Sequence, residues 1–444
     1  MYPLYQEVIG MNNNCIRPAR MLFPSAGVDL ARWAVIACDQ YTSQRDYWQE
    51  VEKLVGDAPS TLHITLPEVY LEDADVAGRI EAIHRNMEQY LADGILTELP
   101  AGMMLVERRT GGAHGRRGLV MEFDLEAYDY RPDSASLIRP TEKTVVERIP
   151  PRLAVRRGAS IELPHIMLLI DDPDRTVIEP LFALTGVLRK QYDVDLMQNG
   201  GHLNGWFIPE GPLTAQVAAR LNALNSKESF DARYSLTGDH PILAYAVGDG
   251  NHSMATAKAN WEEIKTTLSP AERETHPARF VLAELVNIHD ESLEIEGIHR
   301  ALFSVDPEAV LAAAKAFFAA HGATATVDDG PRAGCQSFPI RYGDQKVCLN
   351  VQDAPWALPV ATLQNFLDDL LPAVPDARID YIHGLDALDS LAAQPGCMGF
   401  RLPDPSKTDL FRGVILDGVL PRKTFSMGEA HEKRFYMEAR KITL

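Results

Sequence analysis

The chain has 444 residues, more than a single hydrophobic core usually holds, so two or three domains are expected. Its 46% hydrophobic and 24% charged residues are those of an ordinary globular protein rather than a disordered or fibrous one. A net charge of −19 argues against nucleic acid and against an anionic membrane surface, both of which are bound through clustered Lys and Arg. A small anion remains admissible as a ligand where local basic groups and backbone dipoles outweigh the global field.

Five cysteines (Cys15, Cys38, Cys335, Cys348, Cys397) are scattered and never in C-x-x-C spacing. They fit neither a disulfide framework nor a zinc site, and reduced thiols in the cytoplasm are expected. The opening residues MYPLYQEVIG lack a basic segment followed by an apolar core, so no signal peptide is expected. The densest apolar run, Ile166–Ile170, is far too short to span a bilayer.

Taken in order, Trp33–Cys38 reads as a buried strand, followed by a polar turn and a helix from Ser43 to Leu54. Thr61–Leu66 alternates like a strand, and Asp75–Asp93 carries Val76, Ile80, Ile83, Met87 and Leu91 on one helical face. Met103–Arg108 and Gly118–Asp124 predict a hairpin, and a short helix is expected to start near Glu142 and Thr144. Ile166–Ile170 predicts a buried strand, Thr176–Tyr192 a helix, Asn199–His202 a turn into a strand around Trp206, and Ala215–Asn225 a helix. Beyond the apolar run Ala278–Ile288 come an alanine-rich helix, Ala309–Ala320, and strands with turns at Asp328–Gly330 and Tyr342-Gly343. Ala361–Leu371, Gly384–Ala393 and Lys407–Asp417 predict helices, and Cys397–Leu402 a strand. The expected division is an α/β region over 1–135, a central region over 136–304 and a C-terminal α/β region over 305–444.

The most informative stretch is Leu243–Lys265. A short apolar run, Leu243 to Val247, is followed by Gly248-Asp249-Gly250-Asn251-His252-Ser253. Met254, Ala257, Trp261 and Ile264 then recur at three- and four-residue spacing. Strand, glycine turn and helix start together present free backbone N–H groups and the positive end of a helix dipole to an anion. Asp249 adds a carboxylate for a metal, and His252 an imidazole for a proton or a phosphate oxygen. Asn251 or Ser253 as a simple helix cap is the structural alternative.

Other polar groups also lie at the ends of predicted strands or turns: Glu142 and Thr144; Asp171 and Asp172; Lys423, Thr424 and Ser426. Loops at strand ends are where α/β folds place ligands. His202 and His299 occupy similar positions, although each is equally readable as an internal hydrogen-bonding group, and Arg300 follows His299 directly. The phosphate-loop, dinucleotide-binding, zinc-protease and nucleophile-elbow motifs are all absent.

Four of these elements, in this order, resemble the DUF1015 family over nearly the whole chain. Asp249-Gly250-Asn251-His252-Ser253 resembles its D-G-H-H-R-like turn, and Thr141-Glu142-Lys143-Thr144 its H-E-x-T element. Ile298-His299-Arg300 is similar to a T-H-R element, and Pro421-Arg422-Lys423-Thr424-Phe425 to a C-terminal P-x-K element followed by two hydroxyl residues. That family in turn resembles ParB/sulfiredoxin-like proteins, among them the free serine kinases. The fold so implied is α+β, a ParB/sulfiredoxin-like core with additional N-terminal and inserted α/β segments. The function implied is a nucleotide-dependent phosphotransferase acting on serine or a similar hydroxyl compound.

By this resemblance Glu142 takes the proton from the acceptor hydroxyl. Asp249, with Asp171 and Asp172 as further metal candidates, would hold Mg²⁺, and His252 joins the catalytic set. Gly250, Asn251, Ser253, Thr144, His202, His299, Arg300, Lys423, Thr424 and Ser426 would contact substrate or ATP or ADP. Three family positions differ here: the first turn histidine is Asn251, the turn arginine is Ser253, and the histidine heading the H-E-x-T element is Thr141. Arg300 and the Lys433-Arg434 pair are the cations available to replace that arginine. The alternatives are a nucleotide-binding sensor without catalysis and a nucleotide or phosphoester hydrolase. Small molecule and nucleotide are the expected partners, with homo-oligomerisation left open.

Overall fold

The computed structural model describes residues 15–111, 114–421, 423–428 and 430–444. It contains helices and mixed sheets, an α+β architecture, in two compact units. The first unit comprises residues up to Pro140, Thr144–Leu293 and Gly428–Leu444; the second comprises Thr141–Lys143 and Glu294–Met427. No helix among the described residues is long and apolar enough to cross a membrane.

The first unit is built on a nine-stranded sheet. Its spatial order is Ile138–Pro140, Tyr245–Asp249, Met167–Ile170, Phe280–Asn287, Arg116–Asp124, Gly102–Arg109, Gly201–Pro209 and Arg189–Leu196, with Ile16–Arg17 alongside Arg116–Asp124. Tyr245–Asp249 runs parallel to Ile138–Pro140 and antiparallel to Met167–Ile170, which is itself parallel to Phe280–Asn287. Side chains alternate across a strand, so the sheet feeds two cores. Met104, Val106 and Val120 pack with Trp33, Trp48 and Tyr192 on one side. Met103, Leu105, Leu119 and Met121 pack with Trp206, Tyr245 and Trp261 on the other.

The C-terminal segment runs through the first of these cores. Tyr436 donates its N–H to Val35 O at 2.9 Å, Ala37 donates to Arg434 O at 2.9 Å, and Trp33 Nε1 donates to Met437 O at 3.1 Å. It carries charges inward, and each is paired, as buried charge requires. Arg434 meets Glu284 and Glu438; Arg440 meets Glu162 at 2.8 Å and Glu122 at 3.4 Å.

The second unit has a fully antiparallel six-stranded sheet, ordered Thr324–Asp328, Gln345–Gln352, Cys335–Tyr342, Cys397–Phe400, His299–Phe303 and Arg378–Ile382. Helices Pro307–Ala320, Pro359–Ala373, Leu385–Ala392 and Lys407–Asp417 accompany it, and Ile295–Gly297 pairs with Phe425–Met427.

Four expectations are corrected. Trp33–Cys38 is buried but is no strand: Asp29 caps a short helix, Leu30–Trp33, and only Ile36 makes a bridge, to Phe435. The apolarity there reflects cover by the C-terminal segment. Thr61–Leu66 is a 3-10 turn, Thr61–Ile64, because Ser60 caps it and the Thr61 hydroxyl bonds Trp33 O at 2.8 Å. Thr176–Tyr192 is no helix: Pro180 and Gly186 restrict regular helix to a 3-10 piece, Glu179–Leu184, and Tyr192, Val194 and Leu196 alternate inward in the strand Arg189–Leu196. Glu142 stands in extended chain bridged to Leu420, and the expected helix begins only at Ile149.

Candidate functional site

The turn has the predicted form. Strand Tyr245–Asp249 ends in Gly250, which adopts φ +76°, and helix Asn251–Ile264 begins directly after it. Left-handed backbone favours glycine, and here a side chain is excluded sterically too, since a Cβ on Gly250 would lie 2.9 Å from Ile166 Cα. Met254 N bonds Gly250 O at 2.9 Å, so the N–H groups of Asn251, His252 and Ser253 precede the first helical bond, and the cap residue, Gly250, offers them no side chain. Met254, Ala257 and Trp261 are fully buried beneath, as their spacing predicts.

Asp249 is half-buried. Its Oδ2 lies 3.1 Å from Lys433 Nζ, and its Oδ1 accepts the Gly250 N–H at 2.9 Å. Burial would raise its proton affinity, but the Lys433 charge outweighs it and holds the carboxyl below the usual range. Lys433 is thus the cation at this turn. Arg434 is spent on Glu284 and Glu438, and Arg300 belongs to the second unit.

Ser253 Oγ is 2.7 Å from His165 Nε2, and His165 Nδ1 is 2.8 Å from Tyr436 Oη. Asp39 Oδ2 lies 3.6 Å from His165 Nε2. Ser253, His165 and Tyr436 also line a cavity of about 140 Å³ whose other walls include Leu66, Ile161 and Ile166. His165 and Tyr436 escape sequence reasoning. The available signal was a histidine immediately before the buried strand Met167–Ile170, and a tyrosine in an otherwise apolar run near the C-terminus.

Glu142, in the second unit, is gathered with the C-terminal element of the same unit. Its Oε1 accepts the Thr424 N–H at 3.2 Å, and Leu420 N donates to Thr141 O at 2.8 Å. Burial pushes the Glu142 carboxyl up; the Thr424 and Lys423 amides and the Arg300 charge offset this only in part. Lys423 adopts φ +56° with an exposed side chain, and the buried Thr424 hydroxyl donates to Pro421 O at 2.6 Å. Arg300 is fully buried. It donates to Gln364 Oε1 at 2.9 Å, to Ile298 O at 2.5 Å and to Lys423 O at 3.0 Å, and burial lowers its pKa to about 10. It therefore fixes the backbone that faces Glu142. Lys143, Gln364, Asp368, Tyr381 and Leu420 line a cavity of about 480 Å³ in this unit.

Asp171, Asp172, His202 and His299 have internal partners. Asp171 accepts from Tyr234 Oη at 2.7 Å and lies 2.6 Å from His289 Nε2. Asp172 accepts from Thr176 N at 2.6 Å and Val177 N at 2.9 Å. His202 sits between Asp195 and Asp193, at 2.6 and 2.8 Å. His299 Nδ1 accepts from Leu402 N at 3.2 Å, and burial lowers its proton affinity. Thr144 is buried beside Tyr128, and the His252 carbonyl accepts from Thr256 Oγ1 at 2.7 Å. Ser426 lies in strand Phe425–Met427, its side chain outside the described residues. No group of three or more metal-ligating side chains is found among the described residues.

The family model for DUF1015, a protein of unknown function, matches residues 16–370, and the chain belongs to that family. No curated protein matches it significantly. Among solved structures it is similar to a free serine kinase in complex with AMP, at 10% identity and TM-score 0.37, covering 73% of this chain and 92% of that one. A conserved hypothetical protein from Pyrococcus furiosus (11% identity, TM-score 0.34, 73% and 95% coverage) is also similar. So is SbnI from Staphylococcus aureus (8% identity, TM-score 0.35, 70% and 82% coverage). A likeness this slight fixes neither fold nor chemistry.

Proposed function

We propose that the chain is a nucleotide-dependent small-molecule phosphotransferase, with ATP or ADP as donor and serine or a similar hydroxyl compound as acceptor. One observation carries the reading: a helix N-terminus opens on a left-handed glycine that has no side chain to cap it, with the Lys433 ammonium 3.1 Å from Asp249 at the same turn. Backbone N–H groups, a helix dipole and a cation supply what the equatorial oxygens of a phosphoryl group need. A ParB/sulfiredoxin-like core is part of the same reading and rests on the motif order.

Glu142 is the proposed base, and burial raises its proton affinity, the direction that strengthens a general base. Mg²⁺ fits Asp249, because this ion commonly takes one or two carboxylates and completes its shell with water and phosphate. Bound there, it would supply positive charge against the donor phosphates. Asp249 also has partners, Lys433 and the Gly250 N–H, but it stands at the turn, whereas Asp171 and Asp172 are held by Tyr234, His289 and the 172–177 turn and follow the far end of the strand Met167–Ile170, whose Met167 pairs with Asp249.

A second reading, a nucleotide-binding sensor without catalysis, is favoured by the Thr424 N–H on the Glu142 carboxylate, which also suits a structural latch. Incubating the protein with Mg²⁺, ATP or ADP and pooled amino acids separates the readings. A phosphorylated amino acid supports the transferase; nucleotide binding with neither product nor nucleotide loss supports the sensor. Nucleotide loss without phosphorylated product would make it a hydrolase.

A further inference from the structure

Ser253 stands where the family turn carries an arginine, and it is tied into a buried relay. Cys38 N–H donates to Tyr436 Oη at 3.1 Å, Tyr436 Oη contacts His165 Nδ1 at 2.8 Å, and His165 Nε2 contacts Ser253 Oγ at 2.7 Å. A serine bonded to a histidine has two opposite readings. If Nε2 is bare, it accepts the serine proton and Ser253 is an activated nucleophile. If Nε2 carries the proton, it donates to Ser253, and the hydroxyl proton is left for a ligand oxygen.

The surroundings decide between them. Tyr436 Oη already accepts from Cys38, so its own proton is the one available to His165 Nδ1. Burial pushes the Tyr436 phenol well above its ordinary value, which keeps that proton in place. With Nδ1 accepting, a neutral imidazole carries its proton on Nε2. Asp39 Oδ2, 3.6 Å from Nε2, favours the same tautomer. Ser253 then accepts from His165, and its own hydroxyl proton is left for an acceptor at the helix start, three residues after the left-handed Gly250.

We propose that Ser253 is a hydrogen-bond donor to a phosphate oxygen of the ligand, held in that role by the positioning residues His165 and Tyr436, and is not a nucleophile. The proposal rests on the reading of the turn as the anion site. It gives this chain a neutral donor in place of an arginine, with Lys433 supplying the charge.

The test is calorimetric titration of the full chain with Mg²⁺–ADP, together with a fluorophosphonate probe for nucleophilic serine. Ser253→Ala should weaken ADP about ten- to a hundredfold, the worth of a hydrogen bond to a charged group. Ser253→Thr, which keeps the hydroxyl, should restore most of it. His165→Gln offers an amide N–H and a carbonyl in place of the two ring nitrogens and should stay within a few-fold of wild type, whereas His165→Ala should match Ser253→Ala. No fluorophosphonate adduct should form on Ser253. ADP affinity unchanged in Ser253→Ala but lost in Asp249→Asn overturns the proposal and leaves the anion turn standing. So does an adduct on Ser253 that His165→Gln abolishes. A wild-type protein that does not bind ADP overturns the reading of the turn, and the proposal with it.

Discussion

Replacing Lys433 by Met keeps most of the side-chain length and removes the charge that Asp249 faces. The pair is 3.1 Å apart, with side chains 17% and 24% exposed. At an effective dielectric of about 20, two unit charges at that distance attract by about 5 kcal/mol, much of it offset by desolvation. The expected net loss on leaving Asp249 without its cation is about 1–3 kcal/mol. The sign with pH follows from Asp249. Its folded pKa lies below its ordinary value, so wild type holds this contribution above about pH 4 and loses it as pH falls through the folded pKa. Without Lys433, burial pushes the carboxyl up instead, and the ionised group opposes folding at neutral pH. The gap between wild type and Lys433→Met should therefore be widest at pH 7 and close toward pH 3. Urea unfolding followed by tryptophan fluorescence reads mainly the right unit, since Trp33, Trp48, Trp206 and Trp261 belong to it and Trp356 alone to the other. Adding Asp249→Asn to Lys433→Met should recover most of the loss. Equal losses at pH 7 and pH 3, or none at pH 7, would refute the account of this pair.

Glu142→Gln keeps the size of the side chain but cannot take a proton, so turnover should fall by about 10²–10⁴ with ADP affinity unchanged; wild-type turnover would remove the base. Gly250→Ala places a Cβ at φ +76° and 2.9 Å from Ile166 Cα, and should lower stability by about 1–3 kcal/mol, read as a fall in Tm. Arg434→Met leaves Glu284 and Glu438 buried without their shared cation and should cost about 3–5 kcal/mol in urea unfolding. Asp195 and then Asp193 raise the His202 pKa, so its contribution is in place below about pH 6.5 and disappears as pH rises through the folded value. His202→Gln should thus be less stable than wild type at pH 6, by under about 1 kcal/mol for so exposed a cluster, and equal to it at pH 9.

The strand, glycine turn and helix at 243–265 were legible because each rests on local chemistry: an apolar run, a glycine needing positive φ, and a three- and four-residue stripe. The stretch 176–192 misled because Ile178, Leu181, Phe182 and Leu188 mimic helical spacing while Pro180 and Gly186 limit the helix to one short piece. Trp33–Cys38 misled for another reason. Its burial comes from residues 434–437, some four hundred positions away, and no local pattern reports which distant segment covers it. The same distance hid His165 and Tyr436, whose meaning arises only when two separate segments meet Ser253. Lys433 could be named as a cation in reserve, but its pairing with Asp249 required coordinates.

The most direct test of the central claim is a crystal structure of the protein with Mg²⁺ and ADP. The account predicts phosphate oxygens against the backbone N–H groups of Asn251, His252 and Ser253, with Lys433 within ion-pair reach of them. Phosphates bound at another site, with this turn bare at saturating ADP, would contradict it.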